Sequence, residues 1–279
     1  MAQVNTTTPA APVDAVVMAG SVNKIPLYPG DRPGRKALVE LNGKPLIAYA
    51  LDALQAARGV DRIFVVGAPE VTQVACRWPK VTGVPEGKSI VENAELGLQA
   101  ATTERVLFCH PDQPLLRHRM IDDFLRRART VQEDADVVLT WISYENKGRY
   151  EEADHKFAEF GDGKFTHGNL ILVRKDLPDL PQVRQRLEGL YKARKNALRW
   201  AWALGPRLFT RLVIATALRK FPALEELQEM VGKQFGVRLK GVFSPDVELA
   251  LDIDEPEDYA AAEKYLAEDA ERAKNLRVA

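Results

Sequence analysis

Three carboxylates stand where a divalent cation could be held. Asp112 lies two residues after the apolar run that ends in "FCH", and Asp252 and Asp254 alternate in "LALDIDEPEDY", which we interpret as a strand. Alternate residues of a strand point to one face, and two like charges on one face require a cation or protons between them. Magnesium prefers few protein oxygens and completes its shell with phosphates and water. The three aspartates are therefore candidates for a metal site, and the alternatives are a helix-capping or turn aspartate at Asp112 and an exposed acidic strand end at Asp252 and Asp254.

A basic, glycine-rich segment offers the second kind of chemistry, which is phosphate binding. It reads "GSVNKIPLYPGDRPGRK" and follows the buried-strand run Ala15–Ala19. Gly20 lets backbone amides approach a ligand closely. Hydroxyl and cationic groups for phosphate oxygens are Ser21, Lys24, Arg32, Arg35 and Lys36. The segment is neither a Walker A motif nor GxGxxG, so taken alone it fits a phosphate loop and a solvated surface connection equally well.

The elements that position these residues alternate between strand and helix. Apolar runs typical of strands buried on both faces are "DAVVMA", "RIFVVGA", "RVLFCH" and "ADVVLTWIS", and segments with helical spacing lie between them. This βαβαβαβ order predicts a three-layer α/β/α fold with a mostly parallel, mixed sheet of Rossmann-like type. Such sheets bind ligands at the carboxyl ends of their strands, so the loops after residues 19, 67 and 110 should carry the chemistry.

The second half of the chain has a different organisation. Residues 177–232 are predicted to be helical, and the chain then returns to a strand and a long final helix. We therefore predict a disordered lead (1–12), a nucleotide-binding α/β core (13–176), a helical insertion (177–236), and a C-terminal strand and helix that complete the core (237–279).

A basic segment with two tryptophans lies inside the predicted insertion. Trp200 and Trp202 stand among alanines, leucines and many basic residues. Peripheral contact of residues 196–221 with an anionic membrane is one interpretation. We favour the alternatives, a helical cap packed on the sheet or a homodimer contact.

Composition sets broad limits on the function. The 279 residues, 46% of them hydrophobic, suffice for one elaborated domain or two small ones. The 39 basic residues balance the 39 acidic ones, so no global charge points to nucleic acid as a partner. Cys76 and Cys109 do not make a disulfide framework, and we predict two reduced core residues of a cytoplasmic protein. The first residues lack a signal-peptide pattern, and no apolar run is long enough to span a bilayer.

Three segments, in chain order, resemble the signature segments of one enzyme family. They are "VVMAGS…RKALVELNGKPLIAYALDAL", "FCHPDQPLL…MIDDFL" and "LDIDEPEDYAAAEKYL". They resemble nucleotidyltransferases similar to the molybdenum-cofactor cytidylyl- and guanylyltransferases, which share the glycosyltransferase-A-like fold. The resemblance covers roughly residues 13–175 and 240–270.

The resemblance implies Mg²⁺-dependent (or Mn²⁺-dependent) transfer of NMP from an NTP, with CTP or GTP favoured, to a phosphorylated small-molecule acceptor. The implied metal ligands are Asp112, Asp252 and Asp254. With Asp112, the implied catalytic residues are Arg35 and Lys36. Residues expected to bind the nucleotide are Ala19, Gly20, Ser21, Lys24, Gly67, Gly87, Lys88, Ser89 and Asn93. At the entry of a further strand, "FTHGNLILV", we expect acceptor contacts from His167, Gly168 and Asn169.

Two other functions stay open from the sequence. A glycosyltransferase of the same fold that uses a nucleotide sugar usually carries DxD in mid-chain, whereas the mid-chain motif here is "PDQP" and the only DxD considered, Asp252 to Asp254, is near the C-terminus. A non-catalytic nucleotide-binding protein would bind without turnover. The order of the motifs favours nucleotidyl transfer.

Overall fold

The computed structural model describes residues 11–150, 153, 156–179, 181–193, 210 and 220–278. Its strands, in chain order, are β1 (Val13–Met18), β2 (Val22–Asn23), β3 (Gly34–Arg35), β4 (Glu40–Leu41), β5 (Lys44–Pro45), β6 (Val60–Gly67), β7 (Val81–Pro85), β8 (Arg105–Cys109), β9 (Val137–Ser143), β10 (Ala158–Phe160), β11 (Gly163–Arg174) and β12 (Leu239–Phe243). Its helices are α1 (Leu46–Ala56), α2 (Pro69–Ala75), α3 (Ile90–Ala100), α4 (His118–Ala128), α5 (Pro181–Ala193), α6 (Leu224–Phe235) and α7 (Pro256–Val278).

The central sheet has the strand order β12-β9-β11-β8-β1-β6-β7, and β10 pairs with β11 outside this path. β11 is antiparallel to β8 and β9, and the other neighbours along the path are parallel. The carboxyl ends of the parallel strands therefore lie at one edge of the sheet, which also receives the first half of β11. We call this the carboxyl edge.

Helices cover both faces of the sheet because alternate residues of its strands are apolar on both sides. Ala15 and Val17 of β1 belong to a core shared with Ile47 of α1 and Phe124 of α4. Val16, between them, packs on the opposite face in a core that includes Leu98 of α3. The predicted three-layer α/β/α fold with a mixed sheet is confirmed.

Between β6 and α3 the structure has a helix and a strand that the sequence analysis did not predict. α2 and β7 lie between β6 and α3, and β7 pairs in parallel with β6 at the end of the sheet. Because β7 is an edge strand, its residues are exposed or only partly buried, and "VTGVP" carries no apolar run. α2 has seven residues, too few to display a clear helical period.

The basic segment between β1 and α1 forms an ordered hairpin rather than a loose connection. β2 pairs with β3 in antiparallel fashion. Between them, Asp31 Oδ2 accepts hydrogen bonds from Asn23 Nδ2 at 2.7 Å and from the backbone N–H of Leu27 at 2.9 Å. The Leu27 side chain is buried in a small second core with Ile253 and Tyr259. The hairpin thus packs against the C-terminal part of the chain.

The prediction that Asp252 and Asp254 lie on a strand is wrong. They stand between a short 3₁₀ helix, Val247–Ala250, and α7, in a segment without regular secondary structure. The backbone N–H of Ile253 donates to the carbonyl oxygen of Asp112 at 3.2 Å. The segment therefore crosses the loop after β8 instead of pairing with a neighbouring strand.

Cys109 is buried as predicted, but the prediction of a buried Cys76 is wrong, because that residue follows α2 at the edge of the sheet and is exposed.

Residues 1–10 and most of the segment 196–221, with Trp200 and Trp202, lie outside the described residues. Among the described residues, no helix combines the length and the apolar character needed to cross a membrane. The predicted domain boundaries stay a prediction.

Asp136 joins three strands of the sheet at the edge opposite the carboxyl edge. Its carboxylate accepts hydrogen bonds from the backbone N–H of Arg238 at 2.7 Å, from Arg174 Nη1 at 2.8 Å and from Arg238 Nη2 at 2.9 Å. These residues stand at the start of β9, at the end of β11 and just before β12. The buried carboxylate therefore ties the C-terminal strand to the rest of the sheet.

Replacing Asp136 by Asn should lower the free energy of unfolding at neutral pH by about 2 kcal/mol, because two arginines lose a charged partner. Hydrogen bonds from Arg238 lower the pKa of Asp136 below its ordinary value, against the opposing effect of burial. A group with a lowered folded-state pKa stabilises the fold above its unfolded value of about 3.9 and loses that contribution as the pH falls. In urea unfolding, the gap between wild type and variant should close below about pH 4.

Asp134→Asn is the matched control, since Asp134 is exposed two residues away. Its effect should stay within about 0.5 kcal/mol. Equal losses in the two variants would contradict the role given to Asp136.

Candidate active site

Three carboxylates meet at the carboxyl edge. Asp112, Asp252 and Asp254 each present an oxygen, and these oxygens lie within 4.8 Å of one another. We call this group the carboxylate cluster. Asp112 is 5% exposed, whereas the Asp254 side chain is 66% exposed, so the cluster extends from the interior to solvent. The structure thus brings together the three residues that the sequence singled out, and their role as metal ligands stays a prediction.

Two lysines bring counter-charge to the cluster. Lys36 Nζ lies 2.5 Å from Asp112 Oδ2 and 2.5 Å from Asp254 Oδ1. Lys156 Nζ lies 2.9 Å from Asp252 Oδ1. Burial lowers the pKa of Lys36, but Asp112 and Asp254 outweigh this effect and raise it above its ordinary value. Burial likewise raises the pKa of Asp252, and Lys156 outweighs it and brings that pKa below its ordinary value.

The cluster fits a divalent cation on its own chemistry. Asp112 Oδ1 is buried and has no hydrogen-bond partner among the described residues. A buried carboxylate oxygen without a partner is costly, and a cation within reach would remove that cost. Carboxylate oxygens are the ligands that Mg²⁺ and Mn²⁺ prefer. The residues present therefore suit the ion that the sequence leads us to expect.

The turn after β1 touches the segment of residues 87–93, which the sequence analysis expects to bind the nucleotide. A Cβ on Gly20 would lie 2.8 Å from Asn93 Nδ2 and 2.9 Å from Glu86 Oε2, so a side chain at this position would clash. Asn93 is buried, and its Oδ1 accepts a hydrogen bond from the backbone N–H of Gly87 at 2.6 Å. The two predicted nucleotide-binding segments are thus in contact.

Arg35 lies between two carboxylates that the sequence analysis did not single out. Its Nε donates to Glu70 Oε1 at 3.0 Å and its Nη2 donates to Glu86 Oε1 at 2.6 Å. Its Nη1 lies 3.4 Å from the carbonyl oxygen of Gly20. A guanidinium pairs with carboxylates and phosphates through the same fork of donors, so phosphate oxygens could replace a carboxylate here. The position of Glu86 directly before Gly87 was the one sequence signal for it.

These contacts form one path along the carboxyl edge. The backbone N–H of Lys36 donates to the carbonyl oxygen of Ser21 at 3.1 Å, which joins both ends of the hairpin. On one side, Gly20 of the turn lies against Asn93. On the other side, the Lys36 side chain contacts the carboxylate cluster. The groups predicted to bind phosphate and those predicted to bind a metal are therefore adjacent.

Other predicted nucleotide contacts fall into two groups. Ala19 is buried and donates its N–H to the carbonyl oxygen of Val66 at 2.8 Å, and Gly67 ends β6 beside it. Ser89 caps α3, since its Oγ accepts from the N–H of Glu92 at 3.1 Å. The side chains of Lys24 and Lys88 are exposed, and no described side-chain contact joins them to the path.

The predicted acceptor residues lie in the first half of β11, beyond the end of β8. The pairing of β9 with β11 is irregular between His167 and Ile171, and Gly168 and Asn169 fall in this irregular stretch. Gly168 and Asn169 are buried, and His167 is exposed. The structure places these residues at the carboxyl edge, and their contact with an acceptor stays a prediction.

Comparisons with protein families and with known proteins show what this chain is similar to. Residues 29–232 match the family described as a MobA-like NTP transferase domain. An 8-amino-3,8-dideoxy-manno-octulosonate cytidylyltransferase from Shewanella baltica is 22% identical over 250 residues, which make up 87% of this chain and 96% of the relative.

Solved structures with the same fold cover almost the whole chain. A structure described as a hypothetical transferase from Thermus thermophilus aligns with a TM-score of 0.70 and 25% identity, over 90% of this chain and 100% of that one. A 4-diphosphocytidyl-2C-methyl-D-erythritol synthase from Anaerococcus prevotii aligns with a TM-score of 0.54 and 14% identity, over 92% and 99% of the two chains.

Replacing Gly20 by Ala should weaken NTP binding at least about tenfold, a change of about 1.4 kcal/mol, because the new methyl group displaces Asn93 and Glu86. Titration calorimetry with NTPs measures the effect. Gly189→Ala in α5 is the control, since a Cβ there meets no atom within 4 Å. Equal affinities in both variants would contradict a close approach of ligand to the turn.

Replacing Lys36 by Met should strengthen Mn²⁺ binding in the absence of nucleotide by about tenfold, or about 1.4 kcal/mol. The ammonium group contacts two of the three carboxylates, so it competes with an incoming cation and its removal leaves like charges uncompensated. Free Mn²⁺ measured by electron paramagnetic resonance gives the affinity. Lys24→Met, in the same hairpin, should bind Mn²⁺ like the wild type, and an unchanged affinity in Lys36→Met would refute the competition.

Proposed function

The chain belongs to the MobA-like NTP transferase family and is therefore a nucleotidyltransferase, and we propose that it transfers CMP from CTP to a small anionic acceptor, with release of pyrophosphate. The family resemblance seen in the sequence segments is thereby confirmed. The observation that carries the proposal is the position of Lys36 between the Gly20 turn and the carboxylate cluster. Triphosphate binding and metal binding converge on this one side chain.

In the proposed reaction an acceptor oxygen attacks the α-phosphorus of CTP. A new P–O bond forms there, the bond to the β-phosphate oxygen breaks, and pyrophosphate leaves with the bonding electron pair. An ionised phosphate oxygen of an acceptor needs no general base, whereas a sugar hydroxyl has to release its proton to solvent. Catalysis then rests mainly on positioning and on neutralisation of charge.

The residues divide this work by their place along the edge. Lys36 and Arg35 are proposed to bind the β- and γ-phosphates and to stabilise the leaving pyrophosphate, with backbone amides of the Gly20 turn beside them. Asp112, together with Asp252 and Asp254, would hold Mg²⁺ or Mn²⁺. When bound, this ion supplies positive charge to the phosphate oxygens.

Cytosine is favoured over guanine by the names of the relatives. The Shewanella baltica relative is a cytidylyltransferase, and the Anaerococcus prevotii structure is named for a diphosphocytidyl product. The first name contains a sugar acid, and the second contains a cytidyl group joined to a diphosphate. A sugar acid and a phosphate ester are therefore the two acceptor classes to test, and both are anions that would suit the cations of this edge.

The test incubates the protein with Mg²⁺, each of the four NTPs and an acceptor of either class. We expect pyrophosphate from CTP, and ³¹P resonance of the product separates a phosphodiester, formed on a sugar acid, from a diphosphate, formed on a phosphate ester. Pyrophosphate from GTP alone would overturn the choice of base. Free nucleoside diphosphate from a nucleotide sugar, with no pyrophosphate from any NTP, would instead indicate glycosyl transfer.

Replacing Asp112 by Asn should reduce pyrophosphate release at least about 100-fold, the scale on which single electrostatic groups act in catalysis. The fold should survive, because the amide keeps the size of the side chain and relieves repulsion within the cluster. Thermal unfolding checks the fold, and a coupled pyrophosphate assay checks the rate. Asp61→Asn is the control, since Asp61 is an exposed aspartate of β6 outside the cluster. Undiminished turnover in Asp112→Asn would exclude Asp112 from catalysis.

A further inference from the structure

Lys156 lies beside the carboxylate cluster, and the sequence assigned no role to it. It precedes β10, in a stretch rich in charged residues that matches no motif used above. We propose that Lys156 is a positioning residue: it fixes Asp252 where the Asp252 carboxylate joins Asp112 and Asp254 to form the cation site. This inference rests on the proposed metal-dependent transfer and extends it to a residue outside the predicted ligands.

Lys156 contacts both the side chain and the main chain of Asp252. Its ammonium group lies 2.9 Å from Asp252 Oδ1 and 3.4 Å from the backbone carbonyl oxygen of the same residue. A donor that binds both the side chain and the main chain of one aspartate limits the rotation of its carboxylate. Segment 251–254 has no regular secondary structure, so sheet or helix hydrogen bonds do not supply this restraint.

The start of α7 connects to the same ammonium group. Asp258 Oδ1 lies 3.8 Å from Lys156 Nζ, and Asp258 Oδ2 accepts from the backbone N–H groups of Asp254 and Glu255 at 3.0 Å each. Lys156 and Asp258 thus link both aspartates of the segment to the first turn of the helix. The two cation-site residues that come from this segment are positioned by one small network.

Lys156 and Lys36 reach the carboxylate cluster from different sides. The Lys156 side chain is 15% exposed, and with Asp252 and Asp258 it lines a small cavity of about 20 Å³ together with apolar side chains of α7 and of the loop after β8. Lys156 therefore reaches Asp252 from the protein side of the cluster. Lys36, in contrast, contacts Asp112 and Asp254 and comes from the phosphate-binding hairpin. Of the three carboxylates in the cluster, Asp252 is the one for which the described ion pairs of Lys36 include no contact.

A positioning role and a purely electrostatic role predict opposite signs. Removal of a positive charge beside a cation site strengthens cation binding if charge alone matters. Loss of a group that orients a ligand weakens it, and changes around metal ligands typically cost about 10- to 100-fold in affinity. The sign of the change in Mn²⁺ affinity therefore decides between the two roles.

The experiment measures Mn²⁺ binding to the full-length protein by electron paramagnetic resonance and needs no acceptor. Lys156→Met should weaken Mn²⁺ binding about 10- to 100-fold, whereas Lys156→Arg, which keeps the charge and its donors, should recover most of the affinity. Lys240→Met is the matched control, because Lys240 also pairs with a carboxylate, Glu225 at 3.6 Å, but lies on β12. It should bind Mn²⁺ like the wild type.

A double-mutant cycle tests whether Lys156 acts through Asp252. Asp252→Asn should weaken Mn²⁺ binding, and adding Lys156→Met to it should cause little further loss, because the restrained carboxylate is already gone. The proposal would be overturned if the double variant lost Mn²⁺ affinity by the product of the two single losses. Tighter Mn²⁺ binding in Lys156→Met would also overturn it. If Lys156→Met does not fold, Lys156→Arg and Asp252→Asn still test the proposal. A folded Lys156→Arg variant that has lost its Mn²⁺ affinity would contradict it, because arginine keeps the positive charge and the hydrogen-bond donors.

The outcomes also separate this inference from the proposed function. Pyrophosphate release from CTP, combined with unchanged Mn²⁺ affinity and unchanged Mg²⁺ requirement in Lys156→Met, would overturn the role of Lys156 alone. Absence of Mn²⁺ binding by the wild type, with and without CTP, would overturn both. Weakened Mn²⁺ binding in Lys156→Met without any turnover of NTPs would support Lys156 and contradict the proposed transfer.

Discussion

Three ionised carboxylates can lie within a few ångströms of one another only if positive charge is placed among them. In this protein that constraint determines how distant parts of the chain must meet. Asp112 comes from the loop after β8, and Asp252 and Asp254 come from the segment before α7. Lys36 arrives from the hairpin after β1 and Lys156 from the stretch before β10. The order of strands in the sheet is what brings these four parts of the chain to one edge.

The same need for charge balance organises the neighbouring hairpin. Arg35 is paired with Glu70 and Glu86, so its charge is compensated without a ligand. The adjacent residue, Lys36, is paired with Asp112 and Asp254. A triphosphate bound as proposed would therefore meet cations that are already oriented, and it would have to exchange with carboxylates rather than order flexible side chains. Such exchange reduces net affinity for phosphate but lowers the entropic cost of binding.

The sequence was informative wherever burial is continuous and local. β1 and β8 read as strands because both faces of each carry apolar side chains, and Asp112 was placed at the edge because it follows the end of β8. β7 and α2 were missed because an exposed edge strand and a short helix lack that periodicity. The ion pairs of Lys156 with Asp252 and of Arg35 with Glu86 left no local trace in the sequence. Lys156 and Asp252 are 96 residues apart, and Arg35 and Glu86 are 51 apart, so only the folded chain reveals them.

The ion pair between Lys36 and Asp254 spans 218 residues, and the main-chain bond from Ile253 to Asp112 closes over the same site. Contacts between such distant residues are entropically expensive to close and form slowly during folding. During synthesis, the ribosome delivers the hairpin and the loop after β8 long before the segment that carries Asp254. A nascent chain can therefore contain most strands of the sheet and still lack two of the three carboxylates of the cluster. The proposed catalysis therefore requires the segment that carries Asp252 and Asp254, which is synthesised after every strand of the described sheet.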